Sequence, residues 1–110
     1  MKPLLFALLM ISFPAWGLSA AAKEFMMIAR QLEPVHCEKR KLRRELALAE
    51  VDGATARIKE LRARFAELDR EPRTARLERR LAELEQRMTL DAEDLDAINR
   101  QQREAYHRCE

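Results

Sequence analysis

Apolar residues recur in alternating steps of three and four along two long stretches of the chain. The first stretch runs from Cys37 to Leu68 and the second from Leu77 to Cys109. This heptad spacing places a stripe on one side of an α-helix, where it packs against a partner helix. The pattern predicts two long helices, with the stripe at Cys37, Arg40, Arg44, Ala47, Val51, Ala54, Ile58, Leu61, Phe65 and Leu68, and at Leu77, Leu81, Leu84, Met88, Asp91, Leu95, Ile98, Gln102, Ala105 and Cys109.

Pro72 lies between the two stripes and marks the predicted turn. Folding the chain there pairs the stripes antiparallel, from Leu68 opposite Leu77 to Cys37 opposite Cys109, without an insertion. Proline is well tolerated in the first turn of a helix, so a second helix can begin there. We therefore predict an all-α fold, an antiparallel, coiled-coil-like helical hairpin over residues 34–110 with its turn near 69–75. A kink near Gly53, or a second arm that breaks into two helices near Thr89, is also expected.

Pro34 separates a short amphipathic segment, residues 23–33, from the first long helix. We expect this segment to form a short N-terminal helix that either folds onto the hairpin or binds a second copy of the chain. With two leucines of the first arm that lie off the stripe, its apolar residues form a candidate apolar contact surface: Phe25, Met26, Ile28, Leu32, Leu42 and Leu46.

Residues 1–22 have the composition of a secretory signal peptide. Lys2 precedes an apolar run that starts at Leu4, and the segment ends in the small residues Ala20, Ala21 and Ala22. Such a pattern predicts cleavage after Ala21 or Ala22 and export to the periplasm or the medium. The less favoured alternative is an uncleaved membrane anchor formed by residues 3–22, since about 20 uncharged residues can span a bilayer.

The two cysteines, Cys37 and Cys109, are predicted to form an intramolecular disulfide. An even number of cysteines in an exported chain usually pairs, because the compartment is oxidising. Two free buried thiols or an intermolecular bond are the alternatives.

The chain is densely charged, with 21 Lys and Arg against 19 Asp and Glu, and only 5% of its residues are aromatic. Basic residues near the cysteines form a candidate surface for an anionic partner: Lys39, Lys41, Arg43, Arg100, Arg103 and Arg108. The partner is expected to be a protein or an anionic envelope component, with peripheral membrane contact included. Nucleic acid is not expected, because export separates the two and no aromatic residues interleave the basic ones. The alternative is an ordinary solvated face.

Two histidines, His36 and His107, lie beside the two cysteines and together resemble a zinc ligand set. Neighbouring residues on a helix point about 100° apart, so these side chains do not converge easily and no metal site is predicted. No catalytic constellation or cofactor motif is found in the sequence, and we do not expect an enzyme.

Several short segments between Cys37 and Leu68 carry a family resemblance: Cys37-Glu38-Lys39, Glu45-Leu46, Ala49-Glu50, Asp52-Gly53-Ala54, Arg57-Ile58, Leu61 and Glu67-Leu68. In these residues the chain resembles small YqjC-like periplasmic proteins of unknown function. The resemblance implies a periplasmic location and helical structure.

Together these features predict an exported, non-enzymatic helical interaction or adaptor protein of the bacterial envelope, either monomeric or homodimeric. A periplasmic holdase-type chaperone that uses the apolar contact surface is the first alternative. A binder of a small ligand or a metal at the His/Cys end is the second.

Overall fold

A computed structural model describes residues 17–109 of the chain. It contains four helices, α1 (Ala20–Asp52), α2 (Thr55–Arg70), α3 (Pro72–Arg87) and α4 (Ala92–Cys109). No strand occurs within this range, so the predicted all-α class is confirmed. Most of the predicted signal peptide lies outside the described residues.

The long helix α1 packs against each of the other three helices. α2 and α3 follow one another along α1 in the antiparallel direction, and α4 runs parallel to α1. Residue numbers along α1 fall as those along α2 and α3 rise, in the contacts Arg57 to Glu45, Arg64 to Glu38, Arg73 to Gln31 and Arg80 to Glu24. They rise together in the α4 contacts Ser19 to Asp94, Met26 to Gln101 and Glu33 to Arg108.

The chain reverses at Gly53, and the prediction of a hairpin turn near 69–75 is wrong. Gly53 adopts the left-handed conformation with φ 66°, and its N–H donates to the carbonyls of Ala49 and Glu50. This is the usual way in which glycine ends a helix. Pro72 instead occupies the start of α3, where the Glu71 carboxylate caps the N–H groups of Arg73 and Thr74. Those hydrogen bonds, led by the one from Thr74, hold the pKa of Glu71 below its ordinary value. A helix restarts there without reversing direction.

Pro34 does not separate a short N-terminal helix, because α1 continues through it from Ala20 to Asp52. A proline inside a helix removes one backbone hydrogen bond, which destabilises the helix. Packing of the helix on both sides of the proline can offset this loss. Of the two alternatives that the sequence leaves open, a kink near Gly53 or a second arm made of two helices, the second describes residues 72–109, since α3 ends at Arg87 and α4 begins at Ala92.

The main core lies around the first half of α1, where three helices meet. Buried side chains recur along α1 in steps of three and four and pack against α3 and α4. Each large apolar side chain buried in this way contributes about 1.5–3 kcal/mol. The cluster comprises Ala22, Phe25, Ile28 and Leu32 of α1, Leu81 and Leu84 of α3, and Ile98 of α4.

The second half of α1 pairs mainly with α2, as a two-helix extension of the bundle. Leu42 and Leu46 share a groove with Leu61 and Phe65 of α2. The antiparallel pairing of the two stripes would place Leu61 opposite Leu84, but Leu84 belongs to the three-helix core and Leu61 lies beside Leu42 and Leu46. Ion pairs such as Arg64 to Glu38 flank the extension.

The N-termini of α1 and α4 interlock through Asp94. The Ser19 hydroxyl accepts a hydrogen bond from the Ala22 N–H, and the Asp91 carboxylate accepts one from the Asp94 N–H, so each helix has its own cap. The Ser19 N–H donates to Asp94 Oδ1 at 3.0 Å, although Asp94 is only 1% exposed. This hydrogen bond lowers the pKa of Asp94 and outweighs burial, which acts in the opposite direction. An ionised Asp94 therefore links two helix ends.

Truncating the core should be far more costly than truncating the exposed side of α1. Leu32 is 1% exposed and Leu48 is 66% exposed, so the same change tests both environments on one helix. Leu32→Ala should lower the free energy of unfolding by about 3 kcal/mol, and Leu48→Ala by less than about 0.5 kcal/mol. Urea unfolding followed by circular dichroism measures both values. Equal losses would contradict the described packing.

The ionised form of Asp94 should stabilise the fold at neutral pH and cease to do so in acid. Because its folded pKa lies below the ordinary value of 3.8, its contribution is present above that value and is lost as the pH falls through the folded pKa. The difference in unfolding free energy between wild type and Asp94→Asn should therefore be largest near pH 7 and should shrink below about pH 4.

Glu93→Gln provides the matched control, since Glu93 is an exposed neighbour of Asp94 in the first turn of α4. Thermal melts of the three proteins across this pH range measure the effect. A gap between wild type and Asp94→Asn that does not change with pH would show that the charge of Asp94 has no part in the link.

Candidate functional site

The two cysteines meet where α4 ends against the middle of α1. Cys37 and Cys109 lie at disulfide-bonding distance, with their Cα atoms 5.5 Å apart. The predicted pairing is thus supported, although it joins parallel helices rather than the arms of a hairpin. It fixes the C-terminal end of α4 to α1 at Cys37.

α1 continues beyond Cys37 to Asp52, whereas the last turn of α4 reaches α1 only near Cys37 and Arg40. The side of α1 that follows Cys37 at helical spacing is the predicted stripe, Arg40, Arg44, Ala47 and Val51. The structure gives this side no helical partner, and Val51 is 86% exposed. α2 packs instead on the side that carries Leu42 and Leu46. The first half of the predicted stripe therefore lies largely at the protein surface and not in a helix–helix seam.

Three arginines of α1 lie around the C-terminal end of α4. Arg40, Arg43 and Arg44 line an open cleft together with Ala47, Tyr106 and Cys109. We call these six residues the arginine cleft. Because positions 40, 43, 44 and 47 share one side of a helix, α1 alone supplies most of the cleft. α4 supplies the remaining wall from its last turn.

Aromatic rings hold two of the three guanidinium groups. Arg40 lies over the ring of Tyr106, 5.2 Å from its centroid, and Arg43 lies over the ring of Phe65 at 5.5 Å. A stacked guanidinium keeps its N–H edges available for hydrogen bonds to an anion. The rings orient the arginines without neutralising their charge.

None of the three arginines forms an ion pair within residues 17–109, whereas several arginines elsewhere do. Arg80, for example, forms a two-fold hydrogen-bonded pair with Glu24, which raises the pKa of Arg80 and lowers that of Glu24. The C-terminal end of α4 adjoins the cleft, and its last carbonyl groups carry partial negative charge. The cleft therefore presents three positive charges with no carboxylate partner in the described part of the chain.

The predicted anionic-partner surface is only partly free in the structure. Lys39 is buried against Asp69 and the ring of Phe65, Arg100 pairs with Asp96, and Arg108 pairs with Glu33 and Glu104. Lys41, Arg43 and Arg103 are exposed and form no ion pair among the described residues. The structure adds Arg40 and Arg44, which the heptad pattern assigned to a buried seam. The charge of these two arginines is the feature of the sequence that could have indicated their exposure, because burying an unpaired arginine in a helix–helix seam is destabilising.

The predicted apolar contact surface is mainly interior. Phe25, Ile28 and Leu32 are buried in the three-helix core, and Met26 packs against its edge. Leu42 and Leu46 are half-buried in the groove beside α2. The apolar side chains that remain well exposed are scattered over the surface: Met27, Leu48, Val51, Leu95 and Tyr106.

The histidines have separate surroundings. His36 forms a hydrogen bond with Glu78 of α3, and His107 packs edge-on against Tyr106. Across residues 17–109 no three His, Cys, Asp or Glu side chains are grouped so that they could hold a metal ion. No helix in the same range is both long and apolar enough to cross a membrane.

A scan against protein-family models, a search of curated proteins and a search of solved structures each return no match to this chain. The geometry of the cleft and the sequence are therefore the basis for a functional proposal.

Opening the Cys37 to Cys109 bond should strongly destabilise the protein. The bond closes a loop with a sequence separation of 72 residues. In the chain-entropy model, closing such a loop stabilises the folded state by about 4 kcal/mol. Urea unfolding of the oxidised and the reduced protein should differ by about this amount. The double variant Cys37→Ser, Cys109→Ser should resemble the reduced protein and should not respond to reductant.

Thiol alkylation of the oxidised protein provides an independent check. Two alkylatable thiols in the folded, oxidised protein would contradict an intramolecular disulfide, and a dimer that reductant dissociates would show that the bond is intermolecular.

Proposed function

We propose that this chain is an exported, non-enzymatic binding module of the bacterial envelope, and that it docks an anionic component through the arginine cleft. The observation that carries the proposal is the set Arg40, Arg43 and Arg44, which lie together on one side of α1 without a carboxylate partner among the described residues. Charges that have no internal partner are available to an external one.

The chemistry of the cleft fits a phosphate group on an envelope lipid. Arginine presents a planar fork of N–H donors that matches phosphate oxygens, and ring stacking limits the rotamer entropy that binding must overcome. The cleft is open and belongs to an elongated helical surface, so it suits a group displayed on a membrane surface better than an enclosed ligand. The arginines of the cleft supply charge and hydrogen-bond donors for recognition. Cys109 also lines the cleft, but its sulfur belongs to the proposed disulfide.

Export is supported by the sequence of residues 1–22 and by the cysteine pair. A cysteine pair at bonding distance is typical of proteins from an oxidising compartment. The resemblance to YqjC-like periplasmic proteins points to the same location. In that compartment the nearest abundant anions are lipid phosphates, which makes them a reasonable partner for the cleft.

A holdase-type chaperone remains the second candidate, because Leu48 and Val51 are exposed beside the cleft on the same stretch of α1. A holdase would use this apolar surface rather than the arginines. The two functions therefore respond to different substitutions. Suppression of client aggregation should survive loss of the arginines if the chain is a holdase.

Removing the three cleft arginines should weaken binding to anionic membranes. The variant Arg40→Gln, Arg43→Gln, Arg44→Gln loses three charges that each contribute about 1 kcal/mol near an anionic surface, so its affinity should fall about 100-fold. Co-sedimentation with vesicles of phosphatidylglycerol and phosphatidylcholine measures the affinity. Wild-type binding should weaken as salt is added, since exposed charges are screened beyond about 8 Å at physiological ionic strength.

The control variant is Arg76→Gln, Arg79→Gln, Arg87→Gln on α3. These arginines are exposed and form no ion pair in the described part of the chain, so the control has the same net charge as the cleft variant. It should bind nearly as well as wild type. If the two variants lose affinity equally, net charge rather than the cleft is responsible, and the proposal fails. Circular dichroism verifies that both variants remain helical.

A further inference from the structure

The folded part of the chain already includes residues at the end of the predicted signal peptide. Leu18 packs against the main core, and Ala22 is 0% exposed within it. Ser19 caps α1 by accepting a hydrogen bond from the Ala22 N–H at 3.1 Å. Cleavage after Ala21 or Ala22 would remove these contacts from the mature protein.

The environment of Asp94 on α4 also indicates that Ser19 belongs to the folded protein. Asp94 is almost fully buried, and its carboxylate accepts a hydrogen bond from the Ser19 N–H at the start of α1. Losing a donor to a buried carboxylate is destabilising. A mature chain that began at Ala22 or Lys23 would lack this donor.

The sequence permits an earlier cleavage. Ala15-Trp16-Gly17 offers small residues at the −3 and −1 positions of the bond between Gly17 and Leu18, as Ser19 and Ala21 do for the bond after Ala21. Peptidases that remove export signals require small side chains at these two positions. The sequence rule therefore allows both bonds, and the packing of residues 18–22 distinguishes them.

We propose that the processing site is the peptide bond between Gly17 and Leu18, so that the mature protein begins Leu18-Ser19. The proposal rests on the export that the proposed function includes. An envelope signal peptidase hydrolyses this bond with one water molecule, which leaves a carboxylate on Gly17 of the released peptide and an α-ammonium group on Leu18. The mature chain then retains Leu18, which contacts the core, and every residue after it.

The new ammonium group would also lie in a favourable place. It belongs to Leu18, the residue directly before Ser19, whose N–H donates to Asp94. Consecutive Cα atoms lie about 3.8 Å apart. A positive charge near a buried carboxylate stabilises the ionised form of that carboxylate. Cleavage at this bond therefore leaves the link between α1 and α4 intact and places a compatible charge beside it.

The first test is the N-terminus of the exported protein. The full chain is expressed in a bacterium with an envelope, and the protein from the envelope fraction is analysed by intact mass and N-terminal sequencing. The expected chain begins at Leu18. A chain that begins at Ala22, Lys23 or any other residue overturns the proposal, and an uncleaved chain overturns both the proposal and the cleaved-signal part of the export hypothesis.

Two matched substitutions identify the bond independently of folding. In pulse–chase labelling with N-terminal sequencing of the product, Gly17→Leu should abolish the product that begins at Leu18, because leucine does not fit the −1 position, and any product that still forms should begin after Ala21 or Ala22. Ala21→Leu makes the same kind of change at the alternative site and should leave conversion at the wild-type rate. Conversion blocked by Ala21→Leu, or a product from Gly17→Leu that has the same N-terminus as the wild-type product, overturns the proposal. Neither result depends on vesicle binding, so failure here is distinguishable from failure of the arginine cleft.

Stability provides a second readout. Protein beginning at Leu18 should melt at least about 5 °C above protein beginning at Lys23, since the latter lacks the Ser19 cap and the core contacts of Leu18 and Ala22. Equal melting temperatures would remove the structural reason for preferring the earlier bond and would overturn the argument.

Discussion

The surface of α1 is the constraint on which the rest of the fold depends, because each of the other helices packs against it. Its first half buries an apolar face between α3 and α4, and its second half pairs mainly with α2. A helix of this length, about 50 Å at 1.5 Å per residue, can organise a small charged chain that has few aromatic side chains to fill a compact core. The bundle is elongated because its common partner is elongated.

The two ends of α4 determine its position along α1. At its N-terminal end, Asp94 accepts a hydrogen bond from Ser19 and aligns the start of α4 with the start of α1. At its C-terminal end, Cys109 meets Cys37. α4 is thus held in register with the first half of α1. The arginine cleft is formed where the last described turn of α4 meets α1 at Arg40, Arg43 and Arg44.

The sequence predicted the all-α class and the proximity of the two cysteines, and it marked the segment near Thr89 as one of two possible breaks, because each depends on local signals. Heptad spacing reports helix, and glycine or proline reports a boundary. The topology could not be read in the same way. Apolar spacing does not say which helix a stripe faces or whether that helix is parallel, and Cys37 and Cys109 can approach each other in either arrangement. Gly53 resembled a tolerated weak point and Pro72 a turn, although the chain uses them in the opposite roles.

The arginine cleft was missed for a related reason. Arg40 and Arg44 continue the spacing of Cys37 so regularly that they fit a seam, and only a partner helix would show that the seam is unoccupied. Arg43 was recognised because it stood outside that spacing. The aromatic contacts that orient Arg40 and Arg43 come from Tyr106 and Phe65, which are distant in sequence and could not be assigned to them without the fold.

Desolvation explains why the chain adopts this topology rather than the hairpin that its apolar spacing allows. The hairpin would bury Arg40, Arg44 and Asp91 against alanine or glutamine, which leaves charges without partners at a cost of several kcal/mol each. In the observed fold, Arg44 and Asp91 are exposed and Arg40 is only partly covered. Surface ion pairs add little net stability, yet pairs such as Arg64 with Glu38 and Arg80 with Glu24 form only when α2 and α3 run antiparallel to α1 in this register. Apolar spacing thus makes the chain helical, and the cost of burying charge selects which helical arrangement is stable.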